Sequence, residues 1–293
     1  MNSTVITSTK ELYKFVFQRL KKPLGEGEAS AVTYIILDYF FDLDRTAVLM
    51  NIDILPVEEE DIMKLEEVVA LLKKGEPIQY ILGETPFFGL SLFVNKDVLI
   101  PRQETEELVD LIVKESNQLH APTIIDIGTG SGCIALGLKK MLTSASIFAM
   151  DVSMDALAVA QDNSNELALP IQLVHENILD PSDLDELPQF DIIVSNPPYV
   201  TIEEKSDMEK NVVEYEPPLA LFVENEDPLK FYKATVDFSL QKLKPGGTLY
   251  FEINELFGEE TANLLRMSLF SDVEIIKDLN GKDRFVKGKH NPS

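Results

Sequence analysis

Hydrophobic positions change their period along the chain. Leu12, Phe15, Val16 and Leu20 recur at helical spacing, and Ile62, Leu65, Val68, Val69 and Leu72 do so again. Pro56 and the acidic run Glu58-Glu59-Glu60-Asp61 precede the second set and suit a first helical turn. A small helical bundle is predicted over residues 1–84. Residues 87–100 alternate like strands around Gly89 and Asn95, which predicts a β-hairpin linker at 85–101, and 105–116 reads as a helix opening a domain at 102–293. From there, short apolar runs alternate with helical stretches. Residues 123–127, 146–150, 171–175 and Ile192-Ile193-Val194 read as buried strands, 133–141 and 154–167 as helices, with Ser153 placed to cap the second. A helix near 229–240, a turn at Lys244-Pro245-Gly246-Gly247, a strand at 248–253, a helix near 259–270 and two strands joined at Leu279-Asn280-Gly281-Lys282 complete the pattern. That order predicts an α/β domain with a seven-stranded, mostly parallel sheet closed by an antiparallel hairpin, and ligands at the carboxyl ends of its strands.

Candidate chemistry sits where two of these strands end. Gly128-Thr129-Gly130-Ser131-Gly132 links the strand at 123–127 to a helix. Glycines allow φ > 0 and close approach of a ligand to the main chain, and the helix start adds free N–H groups, so a nucleotide-type cofactor is implied. The dinucleotide fingerprint G-x-G-x-x-G is not met, because the third glycine falls one place early and Cys133 stands where the last Gly or Ala belongs. Asp151 ends the next strand at roughly the 20-residue spacing from which an acid reaches a ribose hydroxyl pair. Asn177 could take an adenine amino group on its amide oxygen while Ile178 covers the ring. The bland alternatives are a helix-end acid for Asp151 and a turn residue for Asn177.

The second junction is Asn196-Pro197-Pro198-Tyr199, directly after Ile192-Ile193-Val194 and Ser195. It offers an amide oxygen and backbone carbonyls, and the prolines contribute no N–H there. A planar NH2 group is the natural guest, with the aromatic ring placed to cover it. The alternative is a Pro-rich turn capped by a core tyrosine.

Together the glycine turn, the acid and the tetrapeptide resemble an S-adenosylmethionine-dependent methyltransferase of the Rossmann-like class I fold. Gly75-Glu76-Pro77-Ile78-Gln79-Tyr80-Ile81-Leu82-Gly83, Phe88-Gly89, Val98-Leu99-Ile100-Pro101-Arg102-Gln103-Glu104-Thr105-Glu106 and Glu216-Pro217-Pro218-Leu219-Ala220-Leu221 narrow the likeness. They resemble the bacterial peptide chain release factor N5-glutamine methyltransferases, the HemK-type family. The chain departs from that pattern at Gln103, at Asn254 after Phe251-Glu252-Ile253, and at Asp227-Pro228-Leu229. The resemblance implies S-adenosyl-L-methionine as cofactor, held by Asp126, Gly128, Thr129, Gly130, Ser131, Gly132, Asp151, Asn177, Ile178 and Asn196. It implies methylation of the glutamine in a Gly-Gly-Gln motif of class 1 release factors. Asn196, Pro197, Pro198 and Tyr199 bind that substrate, with Asn196, Pro197 and Tyr199 catalytic. The Asn196 oxygen and the Pro197 carbonyl would accept both amide hydrogens while Tyr199 packs against the amide face. Glu104 and Glu106 could contact the cofactor or line its entrance, and read somewhat better as first-turn acids of a helix.

Composition removes several rivals. Of 293 residues, 45% are hydrophobic, enough for real cores, and a single cysteine precludes an internal disulfide framework or a multi-cysteine metal site. No metal is expected. His120, His175 and His290 show no triad or ligand spacing. No apolar run reaches about 18 residues and the start lacks a basic-then-apolar leader, so a soluble cytoplasmic protein, expected as a monomer, is predicted. Fifty acidic residues against 26 basic ones give a net charge of −24 and no basic cluster, which disfavours nucleic acid as the direct substrate. The remaining alternatives are a ribosomal-protein glutamine methyltransferase, an adenine-N6 nucleic-acid methyltransferase acting on a flipped base, and a non-catalytic adenosine-binding regulator, which has no use for Asn-Pro-Pro-Tyr. The helical bundle is expected to dock the protein substrate.

Overall fold

The computed structural model describes residues 6–182 and 184–291, without the side chains of residues 117 and 207. The chain divides into two compact units, residues 1–82 and 83–293. In the first, helices α1 (Thr9–Leu24), α2 (Glu26–Phe41), α3 (Arg45–Met50), α4 (Glu59–Leu72) and α5 (Ile78–Leu82) surround their own core. Leu12, Val16 and Leu20 of α1 and Leu65, Val68, Val69 and Leu72 of α4 are buried in it, so the helical period of the sequence is the period of burial. Ser8 caps α1 by accepting the Glu11 N–H, and Asp44 caps α3 by accepting the Ala47 N–H.

The second unit opens with the hairpin β1 (Glu84–Phe87) and β2 (Leu90–Phe93), followed by α6 (Gln103–Glu115). The hairpin is not a free linker. Phe87 and Leu92 are buried in the main core. Asn163 holds Phe93 by both backbone groups, accepting its N–H at 2.7 Å and donating to its carbonyl at 2.9 Å. Glu106, placed by sequence at a helix start, accepts the Phe88 N–H at 2.9 Å and ties α6 to the hairpin.

The central elements follow in βα order: β3 (Thr123–Ile127), α7 (Cys133–Met141), β4 (Ser146–Asp151), α8 (Met154–Glu166), β5 (Gln172–His175) and β6 (Phe190–Ser195). A small pair, β7 (Val200–Thr201) and β8 (Phe222–Val223), brackets α9 (Lys210–Tyr215) and α10 (Pro218–Leu221). Then come α11 (Lys230–Lys242), β9 (Leu243–Glu252), α12 (Gly258–Met267), β10 (Phe270–Lys277) and β11 (Asp283–His290). Among the described residues the main sheet has seven strands in the order β10-β11-β9-β6-β3-β4-β5. Among these seven strands β11 alone runs opposite to the other six. Burial on both faces explains why the centres of β3 and β6, Ile124-Ile125 and Ile192-Ile193-Val194, are continuous apolar stretches rather than alternating ones.

From β3 the chain winds outward through β4 and β5, then returns to lay β6 on the other side of β3. The strand order reverses between β3 and β6, which opens a crevice at their carboxyl ends. Register decides what meets there. Ile127 pairs with Met150 and with Ser195, and Ser195 with Phe251. The residues that follow these positions, Gly128, Asp151, Asn196 and Glu252, therefore leave the sheet side by side.

Candidate active site

Two cavities meet at Asn196 and Pro197. The first, about 260 Å³, is lined by Gly128, Gly130, Asp151, Asn177, Ile178 and Asn196 together with Pro197, Pro198, Met150 and the 217–220 segment. The second, about 360 Å³, is lined by Tyr199, Val200, Arg102, Met208, Val212, Leu221 and Glu252. Leu99 and Ala220 border both.

In the first cavity the main chain forms the polar wall. Gly128 and Gly130 have φ of 76° and 54°, left-handed backbone that L side chains rarely adopt, so the turn needs glycine for its conformation. Asp151 lines the cavity and also braces the turn. One carboxylate oxygen accepts the Gly130 N–H at 2.9 Å, the other the Ser153 N–H at 2.9 Å. Burial pushes its pKa up, opposed by those backbone hydrogen bonds. Ser153 caps α8 by accepting the Ala156 N–H at 3.2 Å.

Several residues of the expected cofactor set do not line this cavity. Asp126 is fully buried and accepts the Thr129 hydroxyl at 2.6 Å, an inward bond that stiffens the glycine turn from beneath. Burial, with Asp151 nearby, pushes its pKa up to about 7 against the lowering effect of that hydrogen bond. Thr129 and Ser131 are buried. Gly132 serves packing, since a Cβ there would come 3.2 Å from the Ala160 side chain of α8. Asn177 lines the cavity, but its amide oxygen accepts the Leu179 N–H at 3.0 Å in an Asx turn. The oxygen assigned from sequence to an adenine amino group already accepts one bond from the chain itself.

At the second junction side chains dominate. Asn196 donates its NH2 to Thr105 Oγ at 3.3 Å, Thr105 donates its hydroxyl to Glu252 Oε2 at 2.7 Å, and Tyr199 donates its hydroxyl to Glu252 Oε1 at 3.2 Å. Glu252 is 1% exposed. Burial raises its pKa, while Thr105, Tyr199 and the charge of Arg284 counter the rise. Tyr199 is pushed up as well, by burial and by Glu252, so its phenol stays protonated. Its ring lines the second cavity, not the first. Asn254 donates to the Tyr199 carbonyl at 3.1 Å and to Glu204, and accepts the Leu256 N–H at 3.0 Å. The departure from pattern at that position is therefore a tether on the tetrapeptide. Arg102, with Glu216 as its buried partner at 2.6 Å, edges the second cavity. Glu252 and Thr105 carried no signal of their own in the sequence, and only the neighbouring motifs hinted at them.

Comparison with known proteins places this arrangement. The family described as "PrmC N-terminal domain" matches residues 11–83, and "Methyltransferase small domain" matches residues 103–215. The release factor glutamine methyltransferase of Flavobacterium psychrophilum is 47% identical over 92% of this chain and 95% of its own length. That of Bacteroides thetaiotaomicron is 42% identical over 93% and 96%. The chain belongs to the release factor glutamine methyltransferase family. At the level of fold alone, it superposes on the hMettl16 catalytic domain, solved with an RNA hairpin, with a TM-score of 0.55 at 18% identity over 83% of this chain and 85% of that one.

Members of this family are S-adenosylmethionine-dependent enzymes, and the first cavity suits that cofactor. It presents the glycine turn and the Asp151 carboxylate at one end and the apolar walls of Ile178 and Met150 elsewhere. Among the described residues no cluster of His, Cys, Asp and Glu is arranged to hold a metal, and no helix is long and apolar enough to cross a membrane.

Proposed function

We propose that this enzyme methylates the side-chain nitrogen of the glutamine in a Gly-Gly-Gln motif of class 1 release factors. The observation that carries the reading is the position of Asn196 and Pro197, the wall shared by a nucleoside-sized cavity and a second cavity leading away from it. A cofactor in the first and a side-chain amide in the second would meet only there. The cofactor supplies an electrophilic methyl group on a sulfonium.

The chain's own task is positioning. A carboxamide nitrogen is a poor nucleophile because its lone pair is delocalised, so it must be held within about 3 Å of the methyl and in line with the leaving group. The Asn196 oxygen and the Pro197 carbonyl accept the two amide hydrogens and fix the NH2 plane. Acceptors on both hydrogens also favour electron density on nitrogen as the C–N bond rehybridises. Pro197 and Pro198 add no N–H that could compete for those acceptors. Tyr199, Val200, Met208 and Val212 give the second cavity apolar surface for the methylene stem of a glutamine. Asp151 and the glycine turn hold the cofactor, and Ile178 covers its ring. The helical unit is the docking surface for the release factor in this reading, supported by its lack of any cofactor motif.

The test uses labelled S-adenosylmethionine with purified release factor, its Gly-Gly-Ala variant, and cell extract with and without nuclease. Label on the Gly-Gly-Gln factor alone, recovered as N5-methylglutamine, is the expected result. Label on a ribosomal protein, or label lost after nuclease, overturns the substrate assignment.

A further inference from the structure

A buried carboxylate behind a neutral amide requires an explanation in terms of donors and acceptors. Glu252 ends β9, Thr105 lies in the first turn of α6, and Asn196 follows β6; they come together across sequence separations of 147 and 91 residues. Glu252 and Thr105 are 1% and 2% exposed, and each has a protein partner for its polar side-chain atoms. The hydroxyls of Thr105 and Tyr199 converge on the two oxygens of Glu252, so both oxygens act as acceptors, and a threonine hydroxyl has one proton to give. With that proton on Glu252 Oε2 at 2.7 Å, Thr105 Oγ can only accept from Asn196 at 3.3 Å. The group that Asn196 turns toward Thr105 must then be its NH2.

The opposite amide orientation fails at both ends. Its oxygen would face a Thr105 oxygen whose proton is already committed, and its NH2 would face the NH2 of the incoming amide. Tyr199 occupies the other oxygen of Glu252 at 3.2 Å, and the Thr105 N–H is held by the Arg102 carbonyl at 3.2 Å, so neither end of the relay is free to turn. Glu104, Arg102 and Arg284 are the other charged groups near it.

We infer that Thr105 and Glu252 are positioning residues that set the polarity of the Asn196 amide, so that its oxygen and not its NH2 meets the substrate. The inference rests on the methyl-transfer reading above for its kinetic consequence, but the amide orientation itself does not depend on the substrate.

The full-length enzyme tests both. Thr105→Val keeps the shape of the side chain and removes the hydroxyl; Thr105→Ser keeps the hydroxyl and removes the methyl. In single-turnover assays with saturating S-adenosylmethionine and Gly-Gly-Gln release factor, Thr105→Val should lose about tenfold or more in rate. Its KM for the factor and its cofactor affinity should change less than about threefold, and Thr105→Ser should recover to within about threefold of wild type. A wild-type rate for Thr105→Val, or a serine variant as slow as the valine one, overturns the relay. Should Thr105→Val fail to fold, the Thr105→Val, Glu252→Gln double variant removes the donor and the buried charge together, and the same loss is expected and the same result overturns it.

The second readout needs no substrate. In 15N NMR of the cofactor-free protein, the Asn196 side-chain NH2 signals should move in Thr105→Val and stay near their wild-type position in Thr105→Ser. Signals unmoved in Thr105→Val overturn the relay whatever the enzyme methylates. Wild-type enzyme that ignores the release factor, with the NMR shifts as expected, would remove the substrate reading alone.

Discussion

The mouth of β3 and β4 and the mouth of β6 and β9 lie at the same edge of one sheet, yet they are built by opposite means. At the first, the backbone is the instrument: Gly128 and Gly130 turn with positive φ, and Asp126, Thr129 and Asp151 are spent largely on holding that turn. At the second, the backbone is stripped of donors by two prolines and the work passes to Asn196, Tyr199, Thr105 and Glu252. The difference follows from what each mouth must do. A phosphate-free nucleoside can be held by shape, apolar walls and one acid. A neutral amide must be held by the correct sign of every hydrogen bond, which main-chain groups at the end of a strand do not supply by themselves.

That contrast can be broken most directly at Asn196. Asn196→Ala should lose at least about a hundredfold in methyl transfer, because a misplaced nucleophile and an unpaired amide hydrogen both raise the barrier, while cofactor affinity changes much less. Asn196→Asp keeps the shape but cannot donate to Thr105 and brings a charge, so its turnover should also fall. Single-turnover rates decide it, and an aspartate variant as fast as wild type would make this position a general base.

Next in size is Asp151→Ala. Losing charge-assisted bonds to the ribose, and the brace on Gly130, should cost roughly 1.5–3 kcal/mol, or more than tenfold in S-adenosylmethionine affinity, measured by titration calorimetry on the folded variant. Unchanged affinity would leave Asp151 as a helix-end acid only.

The buried Asp126 gives a pH signature. Its pKa is about 7 in the folded chain against 3.8 for the free group. The folded state therefore holds a proton that the unfolded state has released, and stability falls as pH rises from the unfolded value through the folded one. Between pH 5.5 and 8 wild type should lose about 2 kcal/mol more unfolding free energy than Asp126→Asn, in cofactor-free urea denaturation. Equal losses would mean that Asp126 is already ionised at pH 5.5.

The smallest effect is expected at Asn177. Its oxygen already spends one lone pair on the Leu179 N–H, so Asn177→Ala should weaken cofactor binding by less than about threefold. A tenfold loss in calorimetry would restore the adenine contact assigned from sequence, and would place one cofactor-specific side chain in the mouth that otherwise relies on backbone.

The sequence by itself determined the parts whose causes are local. A buried strand announces itself by an apolar run, a ligand turn by glycines directly after it, a donor-free mouth by two prolines, and a helix start by Ser153; in each case the partners lie within a few residues. The seven-stranded sheet was legible for the same reason, from strands and helices in alternation. Only the tertiary structure decided which way each polar group faces. Asp126 looks like a ligand residue in the chain and proves to be fully buried beneath the glycine turn, outside the lining of the first cavity. The hairpin at 84–93 looks like a linker, and Asn163, 70 residues further on, locks it into the core. Glu252 and Thr105 look like ordinary strand-end and helix-start residues until the pairing of β6 with β9 sets Glu252 beside Asn196 and α6 brings Thr105 between them. Backbone conformation is fixed by neighbours in sequence, whereas the partner of a buried donor or acceptor is fixed by strand register, and register is set by the whole sheet.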